Sequence, residues 1–351
     1  MELHTDQLPS DLFEQSNQQR LDFFKNDQYA ISHRNLDQAV NVLLQRACSR
    51  SQSELILVVG PSGVGKSILL RLLENLVIRE VLPELIHNPG LIPFINIEAM
   101  ATGQGKFMWD GLYRQILVAL GELYIDQKID YGTIQDSLKR KKPSSGKRAS
   151  EITLLNALLT SLSHRKPYVV AIDEMQHIIR TASSSTLEDY GERIKFLMEG
   201  SQVVWVGFGT YQLLRLLNSD LRSSGITKII HFPRYHYEVE QDAQEFQRIL
   251  SIFQSRVPLP ETPSLCECWE FCYERSIGCV GILKGWLTQA VALALEETAN
   301  TLSISHLERT AKLTFECQQM VKDGIEGEAR VAEYLAEQSG LFPDYLQGNE
   351  E

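Results

Sequence analysis

The sequence predicts an α/β fold: a five-stranded, mostly parallel sheet with helices on both faces, followed by a smaller domain made only of helices. Three observations carry this. An apolar run at residues 55–59 passes directly into a glycine-rich loop and then into a helix of apolar periodicity. Four further apolar runs, at 91–97, 168–172, 203–207 and 228–232, alternate with stretches of helical spacing, as strands joined by crossover helices do. Beyond Pro233 no run reads as a strand. Parallel strands are buried on both faces, so they are continuously apolar rather than alternating.

The first run opens the chemistry. Gly60-Pro61-Ser62-Gly63-Val64-Gly65-Lys66-Ser67 fits the phosphate-loop pattern G-x-x-x-x-G-K-[ST], in the strand–loop–helix setting that the pattern requires. Glycines let the backbone curl until its N–H groups face an anion, and the following helix adds the positive end of its dipole. Candidate nucleotide contacts therefore run from Gly60 to Ile68, with Lys66 reaching the β- and γ-phosphates and the Ser67 hydroxyl binding Mg²⁺. A glycine turn without chemistry is the alternative, and the strand before it and the helix after it argue against that.

The run at 168–172 ends in two carboxylates. Asp173 is suited to hold Mg²⁺ through water, and Glu174 to polarise the attacking water as general base. The run at 203–207 leads to Phe208, Gly209 and Thr210. The Thr210 hydroxyl either touches the γ-phosphate or the attacking water, or it caps the next helix. The implied cofactors are ATP and Mg²⁺, and the implied reaction is hydrolysis to ADP and phosphate.

Four divisions follow from patterning. Residues 1–50 read as an N-terminal helical extension, with Leu36, Val40, Leu43 and Leu44 on one helix face. Residues 51–235 form the sheet domain, 236–322 a helical lid, and 323–351 an acidic tail. In the sheet domain the helix after the glycine loop is expected from Lys66 to about 81, closed off by Pro83. A glycine-bearing loop at 99–106 precedes an amphipathic helix over 107–120, and Ser150 is placed to cap a helix over 151–162. Lid helices are expected over 243–253, 265–275, 280–297 and 307–321, the last opened by a capping box of Ser305 and Glu308. The tail holds eight acidic residues to one basic, with Leu341, Phe342, Tyr345 and Leu346 embedded. It reads as a partly disordered segment suited to docking a partner.

The formal net charge of -11 argues against a wholesale electrostatic hold on nucleic acid and leaves room for a local one. Lys139, Arg140, Lys141, Lys142, Lys147 and Arg148 crowd into the ten residues 139–148, a mobile basic loop that either meets DNA phosphates or only solvates a linker. Thr102 and Lys106, in the loop after the second strand, are the other candidate phosphate contacts. Contacts of this kind position a protein with little sequence preference. No apolar run approaches the ~20 residues of a membrane span, and the first 26 residues lack an apolar signal core, so a cytoplasmic protein without membrane contact is expected. Of six cysteines, Cys266, Cys268, Cys272 and Cys279 fall within fourteen residues, while Cys48 and Cys317 stand apart. None forms a C-x-x-C pair, and buried free thiols are expected, a zinc site being the alternative.

Taken in order, a phosphate loop, an Asp-Glu strand end, a polar strand end, an arginine beyond it and a C-terminal helical lid resemble an AAA+ ATPase. More narrowly, Ala171-Ile172-Asp173-Glu174-Met175-Gln176-His177 resembles the IDE-x-QH segment of the TniB/TnsC transposition regulators, and Val206-Gly207-Phe208-Gly209-Thr210 resembles their VG-x-GT strand end. This resemblance implies a sheet in which the Asp173 strand is separated from the Gly60 strand by the strand at 203–207. It implies homo-oligomers, rings or helical filaments on double-stranded DNA, with ATP between subunits, linking a target-selection protein to a transposase. It also implies that Arg222 is the arginine finger reaching the next subunit's γ-phosphate. A second sensor is implied on the helix near 278–287, where the aligned residue is Lys284 instead of the usual arginine. Lysine supplies charge without the bidentate contact. A replication-initiator or helicase-loader ATPase, and a protein-binding signalling ATPase, are the alternative readings of the same motifs.

Overall fold

The computed structural model describes residues 9, 12–26, 31–49, 53–101, 106–128, 149–201, 203–218 and 227–338. They fall into two compact units, one drawn from Val40–Val59 and Leu69–Ile230, the other from Met1–Ala39, Gly60–Ile68 and His231–Glu351. The strands are β1 (Glu54–Val59), β2 (Phe94–Glu98), β3 (Val169–Asp173), β4 (Val204–Gly209) and β5 (Thr227–His231). The helices are α1 (Asn17–Lys25), α2 (Arg34–Ser49), α3 (Lys66–His87), α4 (Trp109–Ala119), α5 (Glu151–Arg165), α6 (Gln176–Ile179), α7 (Ser184–Ser201), α8 (Glu240–Ser255), α9 (Trp269–Ser276), α10 (Val280–Glu296), α11 (Ile304–Thr310) and α12 (Thr314–Gln338).

All five expected strands form one sheet, in the order β2-β3-β4-β1-β5. β1 pairs parallel with β4, β4 with β3, and β3 with β2. Every residue of β4 is buried, and so are Leu55 to Val59 of β1, because strands covered on both faces have no solvent side to keep polar. The order places β4 between β3 and β1, as the resemblance implies. Parallel pairing also sets the carboxyl ends of these three strands on one edge: Val59 lies opposite Gly209, and Ile172 opposite Gly207. That is the edge where open α/β sheets bind ligands.

Local signals explain most boundaries. Ser150 Oγ accepts the N–H of Thr153 at 3.2 Å and caps α5 as expected. Pro83, in contrast, does not end α3, which continues to His87. A proline forfeits its own N–H bond, yet the turns after it survive here: His87 Nδ1 bonds to the Pro83 carbonyl at 2.7 Å, and Asn88 N–H to that of Glu84 at 2.9 Å.

In the unit that holds the C-terminal helices, α1 packs into the helical core through Phe24, which meets Phe253 with ring centroids 6.3 Å apart. Asn17 Nδ2 donates to the Leu295 carbonyl (2.8 Å) and Arg20 Nε to that of Pro258 (3.0 Å). Of the residues expected as an extension, those up to Ala39 thus belong to the same compact body as α8–α11, and those from Val40 on to the other. The helix expected over 307–321 is two helices, broken where Ala311 turns extended at φ -65 and ψ 148. Its capping partners are Ser303 and His306, whose Nδ1 accepts the Ser303 N–H at 3.0 Å, and not Ser305 and Glu308. Residues 323–338, expected in the acidic tail, continue α12. The buried positions Cys317, Gly324, Gly327, Val331 and Tyr334 recur on one face of that helix. Among the described residues no single helix is long and apolar enough to cross a membrane.

Candidate nucleotide site

The glycine loop lies in the same unit as the C-terminal helices. Gly63 and Gly65 have φ of +74 and +118, backbone that other L-residues rarely adopt. The loop also touches α10 backbone to backbone. A Cβ on Gly63 would stand 2.5 Å from Ile282 Cγ1, and one on Gly281 would stand 2.5 Å from the Gly63 carbonyl oxygen. That oxygen accepts the Ile282 N–H at 3.0 Å, satisfying one of the donors a helix N-terminus leaves unpaired. Lys66 is buried, and its ammonium donates to the carbonyls of Gly60 (3.0 Å) and Pro61 (2.8 Å). A buried ammonium is tolerated only when well bonded, so the loop holds a fixed positive charge among its own peptide groups. Ser67 is exposed in the first turn of a 22-residue helix. This cradle of left-handed glycines, buried lysine and helix N-terminus fits a phosphate. Just before α10, the Cys279 thiol is pushed up to about 12 by burial, while Arg234 and Lys66 pull it the other way.

The carboxylates lie in the sheet unit. Asp173 ends β3 half-buried, and its Oδ1 accepts the Glu174 N–H at 2.9 Å. Glu174 sits at φ +50, a conformation costing a non-glycine residue on the order of 1 kcal/mol. Its Oε2 accepts from Gln176 Nε2, and Gln176 Oε1 accepts the Thr210 N–H at 3.2 Å. His177 Nε2 is 3.9 Å from the same Oε2. The hydroxyl of Thr210 and Nδ1 of His177 are buried with no hydrogen-bond partner among the described residues. An unsatisfied buried group costs about 1–3 kcal/mol, so the Thr210 hydroxyl has capacity for a partner beyond the described residues. It caps nothing: the 3₁₀ turn after it, Tyr211–Asn218, is joined by Leu213 N–H bonding to the Thr210 carbonyl at 3.0 Å. The carboxylate of Asp173 is a hard oxygen donor of the kind Mg²⁺ prefers, and so, in the other unit, is the hydroxyl of Ser67.

Other expected residues are placed elsewhere. Lys284 is half-buried and donates to the carbonyl of Lys25 at 3.1 Å, at the end of α1, while Gly281 and Ile282 are the α10 residues turned to the glycine loop. Lys106 is exposed beside Phe107, whose N–H bonds to the Tyr190 hydroxyl at 3.0 Å. Thr102, Arg222 and the basic run Lys139–Arg148 lie outside the described residues. The six cysteines are free, with Cys272, Cys279 and Cys317 buried and their thiols pushed up by burial. Among the described residues no group of three or more His, Cys, Asp or Glu is arranged to hold a metal ion. Sequence reasoning assigned nothing to Gln176, though its place two residues after Glu174 was a usable signal.

Residues 49–217 match the AAA domain family. In structure the chain is similar to ORC2 of Aeropyrum pernix in its ADPNP-ADP complexes, at 14% identity over 82% of this chain and 70% of that one, TM-score 0.50. It is similar to Cdc6p of Pyrobaculum aerophilum, at 15% identity over 82% and 70%, TM-score 0.53. Drosophila ORC bound to DNA also matches, at 15% identity over 88% and 68%, TM-score 0.50. At these identities the likeness is one of fold, and the fold is that of an AAA+ P-loop ATPase, a five-stranded parallel sheet with C-terminal helices. No curated protein matches the chain in sequence.

Proposed function

We propose that this chain is an ATP-hydrolysing AAA+ switch that assembles on double-stranded DNA and links a target-selection protein to a transposase. The observation that carries the nucleotide reading is the end of β3. Asp173 and Glu174 close a strand one place removed from β1, whose chain continues as the glycine loop with its buried Lys66. Bound Mg²⁺ neutralises phosphate charge and orients the reacting groups. The chain's own parts in this scheme follow from their chemistry. Lys66 exchanges the carbonyls of Gly60 and Pro61 for phosphate oxygens, and the loop amides from Gly60 to Ile68 cradle the anion. Ser67 and Asp173 hold the metal, Glu174 takes a proton from the attacking water, and the Thr210 hydroxyl orients that water or a phosphate oxygen. Arg222 of a neighbouring subunit completes the charge. A second-sensor role for Lys284 requires it to leave the Lys25 carbonyl.

The transposition part rests on the segments 171–177 and 206–210, which resemble the TniB/TnsC regulators. Drosophila ORC, of the same fold, is bound to DNA in its structure, and duplex DNA is carried over here as ligand class. Fluorescent-nucleotide binding and phosphate release test the chemistry. Lys66→Ala should lose binding, and Glu174→Gln should bind yet turn over at least ~100-fold more slowly. Electron microscopy with ATP or ADP, with and without duplex DNA, tests the assembly. ATP-dependent filaments or rings on unrelated duplexes support the regulator reading. Their absence leaves a protein-binding signalling ATPase, and loading at a defined sequence would point to an initiator.

A further inference from the structure

We infer that Gln176 is a positioning residue, a strut that fixes the Glu174 carboxylate and ties it to the end of β4. The inference rests on Glu174 being the general base, and it concerns how that base is held. Gln176 opens α6 and is 7% exposed. Both ends of its amide are used: Oε1 accepts the Thr210 N–H at 3.2 Å, and Nε2 donates to Glu174 Oε2. A backbone N–H can only donate and an ionised carboxylate can only accept, so one amide orientation alone satisfies both. The side chain is a link of fixed polarity from one strand end to the next.

The neighbouring strand is shaped around it. A Cβ on Gly209 would lie 2.4 Å from Gln176 Oε1, and one on Gly207 would lie 2.1 Å from Met175 Sδ. These glycines are two residues apart and share a face of β4. They leave the slot in which Met175 and Gln176 rest. A buried amide is costly unless bonded, and a leucine of similar volume would fill the space without that cost. What the amide adds is its two bonds.

Glu174 needs such a support. Its backbone is in the left-handed region, and His177 Nε2 at 3.9 Å is too far for a hydrogen bond to its carboxylate. With Oε2 anchored, the carboxylate has one oxygen fixed and the other directed by it. Movement of the Thr210 backbone relative to β3 moves the carboxylate through the amide, so the base is coupled to the end of β4.

The test is a variant series measured for nucleotide affinity, KM, kcat and thermal midpoint in the full chain. Gln176→Met fills the space without either bond. We expect affinity and KM near the parent's, a modest fall in midpoint from the two lost bonds, and kcat lowered ~10–100-fold, the cost of a misplaced catalytic group. Gln176→Glu, the isostere, can still accept from Thr210 but sets a like charge against Glu174. It should be at least as slow as Gln176→Met, whereas a residue that only fills space would tolerate the isostere better. Combining Gln176→Met with Glu174→Gln should be no slower than Glu174→Gln alone, because nothing remains to position. If Glu174→Gln is inactive while both Gln176 variants turn over like the parent, or if the double variant shows the full product of the two losses, the strut is overturned and the base stands. If Glu174→Gln hydrolyses ATP like the parent, the base reading fails and the strut with it. Where Gln176→Met does not fold, Gln176→Glu carries the same comparison.

Discussion

His33 caps α2 with its ring. Nδ1 accepts the Leu36 N–H at 3.4 Å and meets the Tyr235 hydroxyl at 2.9 Å. Because Nδ1 accepts the Leu36 N–H it carries no proton, so the Tyr235 hydroxyl, which accepts the Asn35 N–H at 3.3 Å, donates to it. The ring stacks on Phe232, with centroids 6.3 Å apart and planes 14° from parallel. Burial lowers the pKa from 6.5 to about 4; Glu245 opposes the shift, and Arg248 and Arg34 add to it. The unfolded chain therefore takes up the proton first as pH falls. Stability from the neutral ring is present above 6.5 and drains away toward 4. Between pH 7 and 5 this one group should remove about 2 kcal/mol. His33→Asn keeps a capping oxygen without a titrating ring. In urea unfolding at the two pH values, the parent should lose ~1–2 kcal/mol more than the variant. Equal losses would detach the pH response from His33.

At the scale of elements, α12 is held by a buried ion pair. Arg234, 8% exposed in the segment after β5, meets Glu328 of α12 through Nε (3.0 Å) and Nη2 (3.4 Å). Removing one partner strands a buried charge, so Glu328→Ala should cost about 3 kcal/mol in denaturant unfolding. Arg234→Met with Glu328→Leu should recover much of it. A double variant as unstable as the single one would show that packing, not charge, sets the cost. This pair also explains what the sequence hid. The strands were legible because buried parallel strands are unbroken apolar runs, and the glycine loop because its chemistry is local. The helix of 323–338 was not: acidic residues recur through it, and two of its buried positions, Gly324 and Gly327, do not read as an apolar face. Pro83 misled because the cost of an interior proline depends on what packs around it. Gln176, though part of the quoted segment, carried no assigned role because its partner lies beside Gly209, thirty-three positions on and brought close by β3 pairing with β4.

At the scale of the whole molecule the proposed function asks how a chain of net charge -11 would hold DNA. Each subunit needs only a few phosphate contacts if many subunits line one duplex, since weak contacts multiply on a polymer. Lys106 is exposed, and the residue after it is tethered by the bond from Phe107 N–H to the Tyr190 hydroxyl, so the lysine stands on a fixed stem. Thr102 and the basic run at Lys139, Arg140, Lys141, Lys142, Lys147 and Arg148 are the other proposed contacts. Arg222→Ala should separate assembly from nucleotide binding, lowering hydrolysis and ATP-dependent particle size in light scattering while monomer affinity stays near the parent's. Filament formation on two unrelated duplexes across a salt series then tests DNA directly. Phosphate contacts predict equal affinity for both sequences and a fall with salt whose slope reflects the number of charges engaged. Lys106→Ala should weaken binding and lower that slope by roughly one charge per subunit, and neutralising the basic run should lower it further. If both changes leave affinity and slope where they were, DNA is held by another surface, and the charge on these two segments serves only to solvate them.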